Sequence, residues 1–294
     1  MGTPADRRPR LEHRHDETAT FEQALQDYRA ALERLEAFGL RVSGSSRLRS
    51  YERRLAALPT DPGIPIPLVL ADQLLFDLRE IDEVILIVGS FDGMPTPEER
   101  HRLSVMVGGH ENPDRDGSGQ ARDAQFELFL RAALKRGGGE VILGSPDLLS
   151  VLEKGQVPME AKRPTSQARL DDRLRGAVHQ LERHGSPGLV ALSLDHVIRP
   201  RGGYLGIRSA DELGPAVDAL MQDFVRGNLR RAARRVKGKP VAGILFVFRT
   251  PARAVDTNMS LIGSSFHFEH AVDPAGPLGW MVDAVTEVVA RSKV

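Results

Sequence analysis

The sequence predicts an α/β protein with a mainly helical N-terminal region. Three observations predict it. Apolar residues recur at helical spacing through residues 17–107, and a Gly-, Asp- and Asn-rich stretch at 108–120 has no period. Beyond it, short apolar runs alternate with amphipathic helices, the pattern of a sheet covered by helices. At 294 residues the chain is long enough for one large domain or two modest ones, and its 41% hydrophobic content supplies a core.

Residues 1–16 are polar, charged and aperiodic, so disorder is expected there. Phe21, Leu25, Tyr28, Leu32 and Leu35 share one helical face, and Gly39 stops that helix. Residues 59–67 form a Pro-rich break, and Leu68 to Ile87 begins as an amphipathic helix that runs into the apolar stretch Val84–Val88. A further helix starts near Thr96, with Pro97 at its first position and two glutamates in its first turn. The division expected is 1–107 mainly helical, 108–120 linker and 121–294 a second domain. That domain opens with a helix over 121–136, ended by Gly137–Gly139. Three strand-like runs follow at 140–143, 147–152 and 157–161, then a helix over 165–183 and a strand over 189–194. Beyond these, 211–235 reads as a helix, 241–248 and 260–268 as strands, and 278–291 as a closing helix.

Several function classes fall away. The chain has no cysteine, which excludes disulfides, thiol catalysis and cysteine-held zinc or iron–sulfur sites. No apolar run approaches the roughly 20 residues of a membrane helix. The basic N-terminus lacks the apolar stretch of a secretory signal, so a soluble cytoplasmic location without membrane contact is expected. No GxSxG, Walker loop or GxGxxG is present. The net charge of +0 is a cancellation. Residues 1–119 hold 15 arginines against 21 acidic residues, and residues 120–294 hold 25 basic against 19 acidic.

The order helix, three strands, helix, strand places four residues at informative points. Glu127 lies mid-helix, Asp147 follows Pro146 at the start of the second strand, and Glu160 and Lys162 close the third. A hairpin with a two- or four-residue turn centred on Lys154–Gly155 sets Leu152 opposite Val157, Leu149 opposite Glu160 and Asp147 opposite Lys162. Opposed residues share a face, so Asp147, Glu160 and Lys162 project together while Leu148, Leu152, Val157, Met159 and Ala161 take the apolar side. A three-residue turn would break the arrangement. Two carboxylates and an ammonium on one face suit metal-assisted phosphodiester hydrolysis. Asp147 and Glu160 are hard oxygen ligands for Mg²⁺, and Lys162 is placed to orient a water or stabilise developing charge.

Arg122…Glu127, Pro146–Asp147, Glu160–Ala161–Lys162 and the Ser166–Leu181 helix together resemble the PD-(D/E)xK nuclease superfamily, which includes restriction endonucleases and Holliday-junction resolvases. Glu160–Lys162 is the one acidic-x-Lys triplet in a chain with 40 acidic residues. The resemblance covers roughly residues 120–195. It implies a restriction-endonuclease-like core with Asp147 and Glu160 as metal ligands, Lys162 as the catalytic lysine and Glu127 as the helical carboxylate completing the metal site. It implies Mg²⁺, with Mn²⁺ as a substitute, and Gln180 as a loose match to a helix site residue. The activity implied is hydrolysis of DNA, RNA staying open, with a defence or antiviral role, or repair, by analogy. The alternative is an inactive nuclease-like domain that binds nucleic acid or protein.

The densest basic segment is Arg226, Arg230, Arg231, Arg234, Arg235, Lys237 and Lys239. It reads either as a phosphate-binding face or as a solvated helix end. The N-terminal helical region is the expected place for a protein partner or substrate recognition, and double-strand cleavage would suit a homodimer.

Overall fold

The structure, a computed structural model, describes residues 21–58, 68–111, 119–198, 204–257 and 259–292. The disorder expected at 1–16, the Pro-rich break at 59–67 and most of the 108–120 linker lie outside the described residues.

Four helices come first: α1 (Phe21–Ala37), α2 (Arg47–Ala56), α3 (Leu68–Gly89) and α4 (Pro97–Val107). Thr96 and Glu99 cap α4 reciprocally, each side chain bonding the other's backbone N–H. Then follow α5 (Gln120–Arg136), β1 (Glu140–Leu143), β2 (Leu148–Leu152), β3 (Gly155–Lys162), α6 (Gln167–His184) and β4 (Gly188–Ser193). The chain ends with β5 (Leu205–Ile207), α7 (Leu213–Val236), β6 (Val241–Ala254), β7 (Met259–His270) and α8 (Gly279–Ser292). No helix among the described residues is long and apolar enough to cross a membrane.

The seven strands make one mixed sheet. β1–β2–β3 is antiparallel, β4 joins β3 in parallel, and β6 joins β4 in parallel. β7 runs antiparallel along nearly the whole of β6, so β5 takes the edge of β6 that β4 leaves free, beyond Val247. Helix, three strands, helix, strand is thus present in the expected order, with the crossover through α6 that a parallel β3–β4 pair requires.

β4 and β6 are buried on both faces and read as continuous apolar runs for that reason. Leu189, Ala191, Leu245 and Val247 point to a large cluster with Leu148, Val157 and Met159, covered by α1–α5 and α8. Val190, Leu192, Ile244, Phe246 and Phe248 point the other way, to α6 and α7. The result is three layers. Residues 108–120 therefore join two parts of one core, because the N-terminal helices share their cluster with α5 and the sheet.

Three elements differ from expectation. α2 is absent from the sequence reading: its Leu48, Tyr51 and Leu55 are buried at helical spacing, but among four arginines and a glutamate. β5 is three residues long, too short for a periodic signal. β6 continues past Phe248 through Arg249, Thr250 and Pro251 to Ala254. Pro251 falls in the gap between β4, which ends opposite Val247, and β5, which begins opposite Ala252. There a residue lacking an N–H is tolerated.

Between the layers lies a buried ionic network. Glu83 of α3 accepts from Arg163 at 2.9 and 3.0 Å and from Gln125 at 2.6 Å. Glu80 accepts from Arg47 at 3.1 Å, Arg122 at 3.0 Å and Arg79 at 2.9 Å. Asp195, just after β4, binds Arg163 at 2.7 Å and the backbone N–H of Arg249 at 2.8 Å. Removing one partner of such a buried group strands the others without solvation. Glu83→Ala is expected to cost about 3–5 kcal/mol in urea unfolding. Arg175→Ala, which removes the exposed Arg175–Asp172 pair, is expected to cost under about 1 kcal/mol.

Candidate active site

The β2–β3 hairpin brings the motif together. Leu148 pairs with Met159 and Leu152 with Gly155, so the turn is Glu153–Lys154, two residues long. This corrects the pairing expected from a turn centred on Lys154–Gly155: β3 sits two residues along from that register. Gly155 follows that turn with a φ of +140°, a conformation open to glycine. A two-residue offset preserves the alternation of faces. Asp147, Glu160 and Lys162 therefore remain together, opposite Leu148, Val157, Met159 and Ala161.

The three side chains are in contact. Lys162 Nζ donates to Asp147 Oδ2 at 2.7 Å and to Glu160 Oε2 at 3.3 Å, and the N–H of Ala161 donates to Asp147 Oδ2 at 3.0 Å. All three are buried, with Lys162 the most exposed at 9%. Burial pushes the Glu160 carboxyl up to about 8, reinforced by the adjacent Asp147 charge and a hydrogen bond with it, and Lys162 offsets this only in part. Burial would lower Lys162, but Asp147 and Glu160 reverse that and hold it above the ordinary lysine range.

Glu127, on α5, faces the same charges. Burial and then the Asp147 carboxylate raise it to about 7, against the pull of Arg102. Arg102 of α4 places Nη1 3.2 Å from Glu127 Oε2 and donates from Nη2 to the Gly144 carbonyl at 3.1 Å. The Nη1–Oε2 contact is out of hydrogen-bond alignment, and Glu127 Oε2 is buried without a hydrogen-bonded partner among the described residues. As placed, no three metal-ligating side chains among the described residues converge on one point.

Asp123 belongs to this neighbourhood and was not singled out in the sequence. It lies one helical turn before Glu127 on α5, accepts from the N–H of Arg163 at 2.9 Å and from Arg173 Nη1 at 3.0 Å, and is raised, first by burial. Its spacing of four from Glu127 is a signal the sequence carries. Arg102 has no such signal, because it arrives from a helix outside the motif.

Gln180 is placed elsewhere. It is half-buried 13 residues into α6, about 20 Å along a helix that starts just after Lys162 and runs away from it. Gln167, at the near end of α6, donates instead to Asn228 at 2.8 Å.

The basic segment closes α7 and lies along α6. Arg231 and Arg235 both bind Asp171, whose carboxyl they hold down at about 2, and Lys239 donates to Glu182 at 2.7 Å. Arg226 pairs with Asp223. Four of the seven cations are thus engaged by acids, while Arg230, Arg234 and Lys237 have no acidic partner among the described residues.

Comparison with family models, curated proteins and solved structures finds no match for this chain.

The raised Glu160 and Glu127 carboxyls set a pH dependence. Between the ordinary carboxyl range and about 8, the folded protein holds protons that the unfolded chain releases, so stability is greatest at the acid side and falls as pH rises through that window. The metal-free protein is expected to lose melting temperature between pH 5 and pH 8.5 (roughly, from the carboxyl reference range). Glu160→Gln should flatten that decline in thermal melts at matched ionic strength.

Proposed function

We propose that the chain is a Mg²⁺-dependent nuclease that hydrolyses DNA phosphodiester bonds. Its core is restriction-endonuclease-like, formed by α5, β1–β3, α6 and β4. The observation that carries this reading is the Lys162 ammonium bonded to both Asp147 and Glu160 at the C-terminal end of β3. The strand order and the crossover through α6 support it.

The donor set fits a hard divalent cation. Lys162 holds Asp147 and Glu160 together, and the Asp147 charge helps raise the Glu160 carboxyl, a repulsion a divalent cation would relieve. Glu127 Oε2 is a buried oxygen with Arg102 Nη1 3.2 Å away and no aligned hydrogen bond among the described residues. Asp147 and Glu160 would hold the ion with Glu127 beside them and waters filling the remaining positions, as Mg²⁺ prefers. When bound, it supplies a Lewis acid for a phosphoryl oxygen and acidifies a water. Lys162, held between Asp147 and Glu160, would supply an ammonium for charge developing on the phosphorus oxygens. Mn²⁺ substitutes in the same oxygen set, and a homodimer would offer one site to each strand.

Burial of all three residues to 9% or less favours a second reading, a nuclease-like domain that binds without cutting. Cleavage assays separate the two. Plasmid and linear DNA are expected to be cut with Mg²⁺ or Mn²⁺ and spared with chelator. Lys162→Ala and Glu160→Ala should each lower the rate by about a hundredfold or more. Undiminished cleavage by both variants refutes the site, and no cleavage of DNA or RNA by the parent protein supports the binding reading.

The basic end of α7 is proposed as the phosphate contact, through the cations that no acid engages. Arg230→Ala, Arg234→Ala and Lys237→Ala combined should make the slope of log affinity against log salt shallower by about 2–3. Arg231→Ala with Arg235→Ala should change that slope less and chiefly unpair Asp171. Fluorescence anisotropy with a short duplex at several salt concentrations reads both.

A further inference from the structure

Glu127 is met by an arginine from outside the helix–strand motif. Arg102 lies on α4, which the Thr96–Glu99 cap begins and an ion pair between Glu99 and Arg131 fastens to α5. Leu103 and Met106 are fully buried on the same helix, so α4 keeps its place without help from Arg102. The guanidinium makes one aligned hydrogen bond among the described residues, from Nη2 to the Gly144 carbonyl at 3.1 Å. Its other two nitrogens each stand near an acid without alignment. Nη1 is 3.2 Å from Glu127 Oε2, and Nε is 3.3 Å from Glu98 Oε1, one turn back on α4. The two acids differ in surroundings: the Glu127 side chain is 5% exposed and the Glu98 side chain 46%. Arg102 is thus a cation between a buried acid and a solvated one, and it is locked to neither.

We propose that Arg102 is a resident counter-cation that competes with the metal ion for Glu127, and that Glu98 receives its guanidinium when the ion is bound. The inference rests on the metal site proposed above and adds to it a residue that sets metal affinity. A misaligned contact is a weak hydrogen bond, so charge is what joins Arg102 to Glu127. A divalent ion offers that carboxylate twice the charge and repels the guanidinium beside it. Glu98 then gives the guanidinium a solvated partner on its own helix, at the (i, i+4) spacing that favours such a pair. Removing the competitor and removing its refuge act on metal affinity in opposite directions. A merely structural role for Arg102 and Glu98 in α4 would not produce that.

Calorimetric titration of the metal-free intact chain with Mn²⁺, at one pH and ionic strength, reads this. Arg102→Gln keeps an amide donor for Gly144 and loses the charge. It is expected to bind Mn²⁺ at least about fivefold more tightly than the parent protein. Glu98→Gln is expected to bind it about two- to threefold more weakly. The double variant should match Arg102→Gln, because Glu98 acts only through Arg102. Glu160→Gln reports where the ion sits and should remove the binding. Glu98 is exposed, so its variant carries the test should Arg102→Gln not fold. Mn²⁺ binding by Arg102→Gln that equals or falls below the parent's overturns the proposal, as does a Glu98→Gln that binds as the parent does. So does a double variant as far below Arg102→Gln as Glu98→Gln is below the parent. Each of these leaves the nuclease reading standing where Glu160→Gln abolishes binding. If neither the parent nor Arg102→Gln binds Mn²⁺, or if Glu160→Gln binds it undiminished, the metal site falls and this inference falls with it.

Discussion

Glu80 and Glu83, one turn apart on α3, hold the molecule together by what they cannot do without. Each is shut away from water, where an unpaired carboxylate is expensive. Each therefore needs arginines from distant parts of the chain: Arg47 of α2, Arg122 of α5, Arg163 after β3 and Arg249 of β6. Satisfying two glutamates thus fixes the N-terminal helices against the C-terminal ends of β3 and β4. Apolar burial on the two sheet faces supplies most of the driving force, and the ion pairs choose among the ways of using it.

The site hangs on the same frame. Lys162 and Arg163 are consecutive and point to opposite faces of the strand end. One joins Asp147 and Glu160, and the other joins Glu83 and Asp195. Asp123 accepts the Arg163 N–H and stands one turn from Glu127, so α5 is tied to the same residue pair. α4 adds Arg102, which bridges the β1–β2 turn and Glu127. The helical N-terminal part is therefore a structural part of the site's surroundings.

Much of this was legible in the sequence where the signal is local. Alternation along 147–162 placed Asp147, Glu160 and Lys162 on one face, and the two-residue register difference did not matter because faces repeat every two residues. Apolar periodicity located α1, α3, α5 and α6. Legibility stopped where a residue's role is decided by something far along the chain. Arg122, Arg163 and Arg249 have the composition of surface charges and are buried because glutamates of α3 meet them. Pro251 looks like a strand terminus until β4 and β5 are known to leave a gap beside it. The arginines of α7 read as a free basic face, yet Asp171 and Glu182 of α6 claim three of those seven cations. Local pattern also carries no sign that the Asp147–Lys162 group is closed off from solvent.

The pairing of Arg249 with Asp82 and Glu83 has a temporal meaning. Asp82 and Arg249 are 167 residues apart in the chain. On a ribosome Asp82 emerges long before the strand that carries its partner. Until β6 is made, Asp82 stays hydrated and Glu83 has Arg163 without Arg249. Contacts of such sequence separation slow folding and prolong the life of partly assembled forms. The α3 ionic network is thus complete only when nearly the last strand is synthesised, and its final closure coincides with the completion of the sheet.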